Sequence, residues 1–162
     1  MITLATKSVD DTRALAAEVA SLARPGDLIV LAGDLGTGKT AFAQGFAKGL
    51  GVDEPVTSPA FILVRTYEGR LPLVHLDVYR LDHIQELVDL GIAELLDEGA
   101  VTLVEWGDAV TPALPADFLE VRLDWPDDAP PDDRRLSIRS VGPAWPPRAD
   151  GLRSVLARWT VA

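Results

Sequence analysis

Cysteine is absent from this chain of 162 residues, which excludes disulfides, thiolate metal sites and cysteine nucleophiles. Lysine is scarce: only Lys7, Lys39 and Lys48 stand against twelve arginines. A composition so biased keeps a lysine mainly where arginine will not serve. Apolar runs fall far short of the roughly 20 residues a bilayer helix needs, and "MITLATKSVDD" carries no signal-peptide apolar region. The expectation is a cytoplasmic protein with no membrane contact and no disulfide partner. Basic charge is also short, 15 residues against 25 acids, a net charge of -10 that argues against unaided binding to a polyanion. The shortage is uneven, because residues 134–162 carry six arginines against one acid, Asp150. The simplest reading pairs those arginines with the acidic body, the alternative being contact with RNA or a partner.

What is present suits one α/β domain spanning residues 1–162. Ser8 reads as the N-cap of a helix in which Leu15, Val19 and Leu22 recur at helical spacing. "LIVLA" (28–32) is a strand covered on both faces, and "TAFAQGFAKGLG" a helix stopped by Gly51. "FILVRTY" and "LPLVHLDVY", separated only by "EGR", make an antiparallel hairpin, since a parallel pair needs a long crossover. One acidic amphipathic helix is expected over 83–99, then strands in "AVTLVEW" and "FLEVRLDW". "PDDAPPDD" (126–133) is a flexible acidic loop, followed by a basic strand "RRLSIRSVG" and a short helix "DGLRSVLARW". Trp125, Trp145 and Trp159 are expected to be packing anchors. The architecture these imply is a mixed, largely parallel sheet containing the hairpin, with helices on both faces.

The densest chemistry lies in "GDLGTGKT" (33–40), which matches G-x-x-x-x-G-K-[ST], the P-loop of nucleoside triphosphatases. From this composition such a match arises by accident roughly twice in a thousand chains. Gly33, Gly36 and Gly38 permit backbone angles that turn successive N–H groups around an anion. Asp34, Leu35 and Thr37 complete the loop, and the following helix, which includes Ala41, begins at the same point and adds its positive end. Lys39 reaches the terminal phosphates, and the Thr40 hydroxyl ligates Mg²⁺.

Such a site also needs a carboxylate closing a neighbouring apolar strand. "LVHLD" ends at Asp77 and "VTLVE" at Glu105. His75, Asp77 and Tyr79 share one strand face. We assign Asp77 to magnesium and Glu105 to the attacking water, although residue types fit the reverse order equally. An edge strand with a wet face for Asp77, and an arginine ion pair for Glu105, are the bland alternatives. "VTSPAF" lies where a nucleotide-sensing loop would fall, with Thr57 and Ser58 in reach of phosphate or metal. No Asn-Lys-x-Asp guanine reader is present, which favours adenine and hence ATP.

"GDLGTGKTAFAQGF", "VTSPAFILVRTY", "HLDVYRL" and "LVEW", in this order and spacing, resemble the bacterial tRNA threonylcarbamoyladenosine biosynthesis ATPase family, TsaE (YjeE). The resemblance covers about residues 25 to 110. It implies a small ATPase acting on the TsaB–TsaD heterodimer, which modifies adenosine in the tRNA anticodon loop, with tRNA touched only through that complex. By motif position it implies nucleotide contacts from Gly33 to Thr40, magnesium at Thr40 and Asp77, and support of hydrolysis by Glu105. Trp106 would lie near the nucleotide, and Tyr79 and Arg80 near the site or partner. The chain departs from the family at Thr37, usually alanine, and at Ala41 and Ala60, usually threonine. Ala41 lacks a hydroxyl for the inner phosphate, a loss of about 1 kcal/mol. At Ala60 the missing hydroxyl leaves Thr57 or Ser58 to substitute. The competing functions are a small-molecule kinase on the same loop and a nucleotide-dependent binding module with negligible turnover.

Overall fold

The computed structural model describes residues 1–58, 64–78, 85, 88–89, 91–106 and 111–162. Along the chain run β1 (Ile2–Thr6), α1 (Val9–Ala20), β2 (Leu28–Ala32), α2 (Lys39–Gly49), β3 (Val64–Tyr67) and β4 (Leu73–Asp77). There follow α3 (Ile92–Asp97), β5 (Val101–Glu105), β6 (Phe118–Asp124), β7 (Arg134–Val141) and α4 (Ala149–Val155). One sheet holds all seven strands in the order β1-β7-β6-β2-β5-β4-β3. The four central strands β6, β2, β5 and β4 are parallel. The expected hairpin closes one flank, with Val64 opposite Leu76, and two antiparallel pairings close the other.

Strand alternation divides the interior into two layers. Ile29, Leu31, Val101 and Leu103 face α1, α2 and the C-terminal segment. Leu28, Val30, Val74, Leu76 and Val104 face the other way, against Ile92, Leu95 and Leu96 around α3. That arrangement explains why "LIVLA" is apolar throughout: every residue of β2 is buried. Ser8 caps α1 as expected, its hydroxyl accepting the Asp11 N–H at 3.0 Å. The helices α1 and α2 approach so closely that a Cβ on Gly45 would collide with the Arg13 carbonyl.

Three expectations change. Strand β1 was not anticipated, although Ile2 and Leu4 alternate inward and pair with Ile138 and Leu136. The single helix over 83–99 is interrupted at Gly91, whose φ of 65° caps α3 in the left-handed region that glycine tolerates. Several residues of that stretch, His83 among them, lie outside the described residues. Trp145 and Trp159 are core anchors, but Trp125 is 49% exposed and lies outside the core.

Two of the tail arginines, Arg148 and Arg139, pair with acids of the body, whereas Arg134 bonds backbone carbonyls and Arg153 pairs with Asp150 within the tail. Arg148 stacks on Trp145 and forks onto buried Asp27 at 2.6 and 2.8 Å, tying the C-terminal segment to the turn before β2. Arg139 spans β7 to Glu120 of β6 with hydrogen bonds of 3.0 and 2.9 Å. That hydrogen bond, opposed by burial, holds the Glu120 carboxyl below its ordinary value.

Substituting Arg148→Met strands the Asp27 carboxylate in the interior, and urea unfolding should record a loss of about 3–5 kcal/mol. Because the folded value of Glu120 is depressed, its contribution is complete above the ordinary value of 4.5 and fades as pH falls through the folded one. The stability gap between wild type and Arg139→Ala should therefore narrow on acidification, as followed by denaturant midpoints.

Candidate functional site: a phosphate loop facing two carboxylates

Strand β2 delivers the chain into a turn that only glycine accommodates. Gly33, Gly36 and Gly38 have φ of 134°, 83° and 106°. A Cβ on Gly33 would strike the carbonyl oxygen of Leu123, so the loop rests directly on the end of β6. Helix α2 starts at Lys39, so its first N–H groups point toward the loop. Thr37, a departure from the family pattern, has a use here. Its buried hydroxyl donates to the Asp34 carbonyl at 2.8 Å and closes the loop's own turn.

Lys39 is 4% exposed. Its ammonium donates to the carbonyls of Gly33 and Asp34 at 2.7 and 2.8 Å and lies 3.7 Å from the centre of the Trp106 ring. Trp106 takes a φ of 63°, a left-handed conformation that costs a side-chain-bearing residue about 1–3 kcal/mol. It turns the indole back over the lysine as β5 ends.

Parallel pairing places Asp77 directly beside Glu105. Their strand faces match those of Leu73 and Leu103, so both carboxylates point to the α2 side of the sheet. The Thr40 hydroxyl donates to Glu105 Oε1 at 3.0 Å, and the Ser58 hydroxyl to Asp77 Oδ2 at 3.2 Å. The second oxygen of Glu105 meets His75 Nε2 at 2.5 Å, with His75 wholly buried and its Nδ1 without a hydrogen-bond partner among the described residues. Neither carboxylate sits on a plain wet edge: Asp77 is 4% exposed and Glu105 2%. Among the described residues Glu105 is paired with a hydroxyl and an imidazole and not with an arginine.

A cavity of about 320 Å³ opens between these groups, walled by Lys39, Thr40, Ser58, Asp77, Glu105 and Trp106, with Leu35, Gly36, Gly38 and Ala41 along the loop. Gly33, Asp34 and Thr37 shape the loop from behind that wall. Thr57 is described and exposed, whereas Pro59, Ala60, Tyr79 and Arg80 lie outside the described residues. Sequence reasoning placed His75 on the right face without giving it a partner; its position two residues before Asp77 in an apolar strand was the signal. It also missed Arg134, which donates to the Thr37 carbonyl from β7 at 2.9 Å. The donor set is oxygen-only: the hydroxyls of Thr40 and Ser58 and the carboxylates of Asp77 and Glu105. This suits Mg²⁺, which binds through one or two protein oxygens, waters and substrate phosphates. Consistently, no cluster of three or more His, Cys, Asp or Glu side chains fit to hold a metal unaided occurs among the described residues. Nor is any helix there long and apolar enough to cross a membrane.

Comparison with known proteins follows the same lines. The family model described as "Threonylcarbamoyl adenosine biosynthesis protein TsaE" matches residues 6–135, a span that contains every site residue above. The tRNA threonylcarbamoyladenosine biosynthesis protein TsaE of Bacillus subtilis is 41% identical over 138 residues, covering 85% of this chain and 84% of that protein. The protein of the same name from Treponema pallidum is 42% identical over 117 residues, 72% of this chain and 87% of its own. The crystal structure of Bacillus subtilis YdiB superposes with a TM-score of 0.76 at 35% identity, over 98% of this chain and 97% of that one. With a glycine-turned phosphate loop on a P-loop sheet and these relatives across most of its length, the chain belongs to the TsaE family of threonylcarbamoyl adenosine biosynthesis proteins.

Proposed function

We propose that this protein binds ATP with Mg²⁺ and hydrolyses it. In this reading the activity supports threonylcarbamoyl modification of adenosine in the tRNA anticodon loop by acting on the TsaB–TsaD pair. The observation that carries the catalytic part is the facing of Lys39 and Thr40 by two buried, adjacent carboxylates. A loop that merely held an anion would have no use for Asp77 and Glu105 at the costly ends of two apolar strands.

The contacts support an order for the carboxylates opposite to the one assigned from sequence. A hydroxyl that gives its lone pair to a metal can still donate its proton, and the Thr40 proton already goes to Glu105. Thr40 and Glu105 would therefore hold Mg²⁺, with His75 fixing the other oxygen of Glu105. Bound there, the ion would offset negative charge on the phosphates. Asp77, joined to Ser58 of the loop that follows α2, is left to orient the attacking water. That water's oxygen would bond to the γ-phosphorus as the bond from that phosphorus to the β,γ-bridging oxygen breaks, its proton passing to Asp77 or to a γ-phosphate oxygen and then to solvent, so that ADP and phosphate are released. Lys39 exchanges its two carbonyl partners for phosphate oxygens and follows the charge developing on them.

Two measurements test this. ATP turnover should rise when TsaB–TsaD is added to the protein; equal rates with and without the pair would remove the partner from the reading. Asp77→Asn should abolish turnover while leaving magnesium-dependent ATP binding close to wild type. Glu105→Gln should weaken that binding by about tenfold or more, an effect of the size expected for a charged hydrogen-bond partner. The opposite pattern would restore the order read from the sequence.

A further inference from the structure

In a trans peptide the C=O and N–H point in opposite directions, so an amide aimed at a bound anion sends its carbonyl partner out the back of the loop. Each such carbonyl needs a donor. Those of Gly33 and Asp34 take the Lys39 ammonium, and that of Asp34 also takes the Thr37 hydroxyl. The carbonyls of Gly36 and Thr37 are served from far along the chain. Arg134, the first residue of β7, donates from Nε to the Thr37 carbonyl at 2.9 Å and from Nη2 to the Gly36 carbonyl at 3.4 Å.

The guanidinium is itself held in place. Its Nη1 donates to the carbonyls of Pro131 and Asp133 at 2.6 and 2.7 Å, and Asp133 is gripped by Lys7 at 2.8 Å. Its Cζ lies 5.6 Å from the centre of the Trp125 ring, which also backs Gly36. The peptide most affected joins Thr37 to Gly38. With its carbonyl on Arg134, its N–H is turned the other way, toward the cavity that Gly38 lines. Gly38 has no side chain to restrict that peptide, so an outside anchor is what orients it.

We propose that Arg134 is a positioning residue for the polyphosphate: it anchors the outward carbonyls of Gly36 and Thr37, so that the Gly38 amide stays aimed at the phosphates while the Thr37 N–H closes the turn onto the Asp34 carbonyl at 3.3 Å. The inference rests on the ATP reading, and the probes separate the two. ATP and inorganic tripolyphosphate, each with Mg²⁺, are titrated calorimetrically into full-length wild type, Arg134→Ala and Arg134→Lys. Arg134→Ala should weaken both ligands by the same factor, roughly tenfold, and raise KM for ATP with kcat nearly unchanged. Arg134→Lys keeps the charge but not the fork, and should recover only part of the loss. If the alanine variant fails to fold by circular dichroism, the lysine variant decides, with an equal loss for both ligands expected. Unchanged affinity in the variants would overturn the inference, as would a loss confined to ATP, which would mark a contact with the nucleoside. A flat titration of the wild type with both ligands would overturn the ATP reading together with it.

Discussion

A main chain that grips an anion with its own amides has to bend in a way that side chains resist, and nearly everything near the centre of this molecule follows from that requirement. Three glycines at positive φ supply the bend. Their carbonyls, forced outward, must be satisfied by donors from elsewhere. Lys39 serves the carbonyls of Gly33 and its neighbour Asp34 from within the motif, and the end of β6 and the start of β7 close the back of the loop. The C-terminal strands are thus a wall of the phosphate site as well as an extension of the sheet.

The two carboxylates are placed by a different and simpler rule. Side chains alternate along a strand, and parallel neighbours in register present equivalent positions side by side. Asp77 and Glu105 end paired strands at paired positions, so one choice of face puts both beside α2. Burial at that place would be costly without partners. Both carboxylates have them: Thr40 and His75 meet Glu105, and Ser58 meets Asp77.

Charge explains the tail. An acidic body and an arginine-rich end attract one another, and the contacts formed are specific: Arg148 on Asp27 below Trp145, Arg139 on Glu120 across a strand pair. The excess of arginine over lysine has a consequence in these contacts, because a planar fork reaches two acceptors where an ammonium offers a point charge.

Much of this was legible beforehand because it depends on neighbours in sequence. The glycine spacing, the apolar run of β2, the Ser8 cap and the alternation that pairs His75 with Asp77 are local patterns, and local sterics and hydrogen bonding are enough to read them. Strand β1 escaped because a five-residue edge strand carries little pattern until β7 is there to pair with it. The break at Gly91 escaped because an amphipathic period runs on past a single glycine. The hydroxyl that meets Glu105, the exposure of Trp125 and the reach of Arg134 to the loop depend on residues far apart in the chain. By itself the sequence determined an anion-binding turn between strand and helix, and two acids on strand ends. The tertiary structure decided which acid faces the threonine and which arginine closes the loop, since only the packed sheet brings those distant side chains within hydrogen-bonding distance.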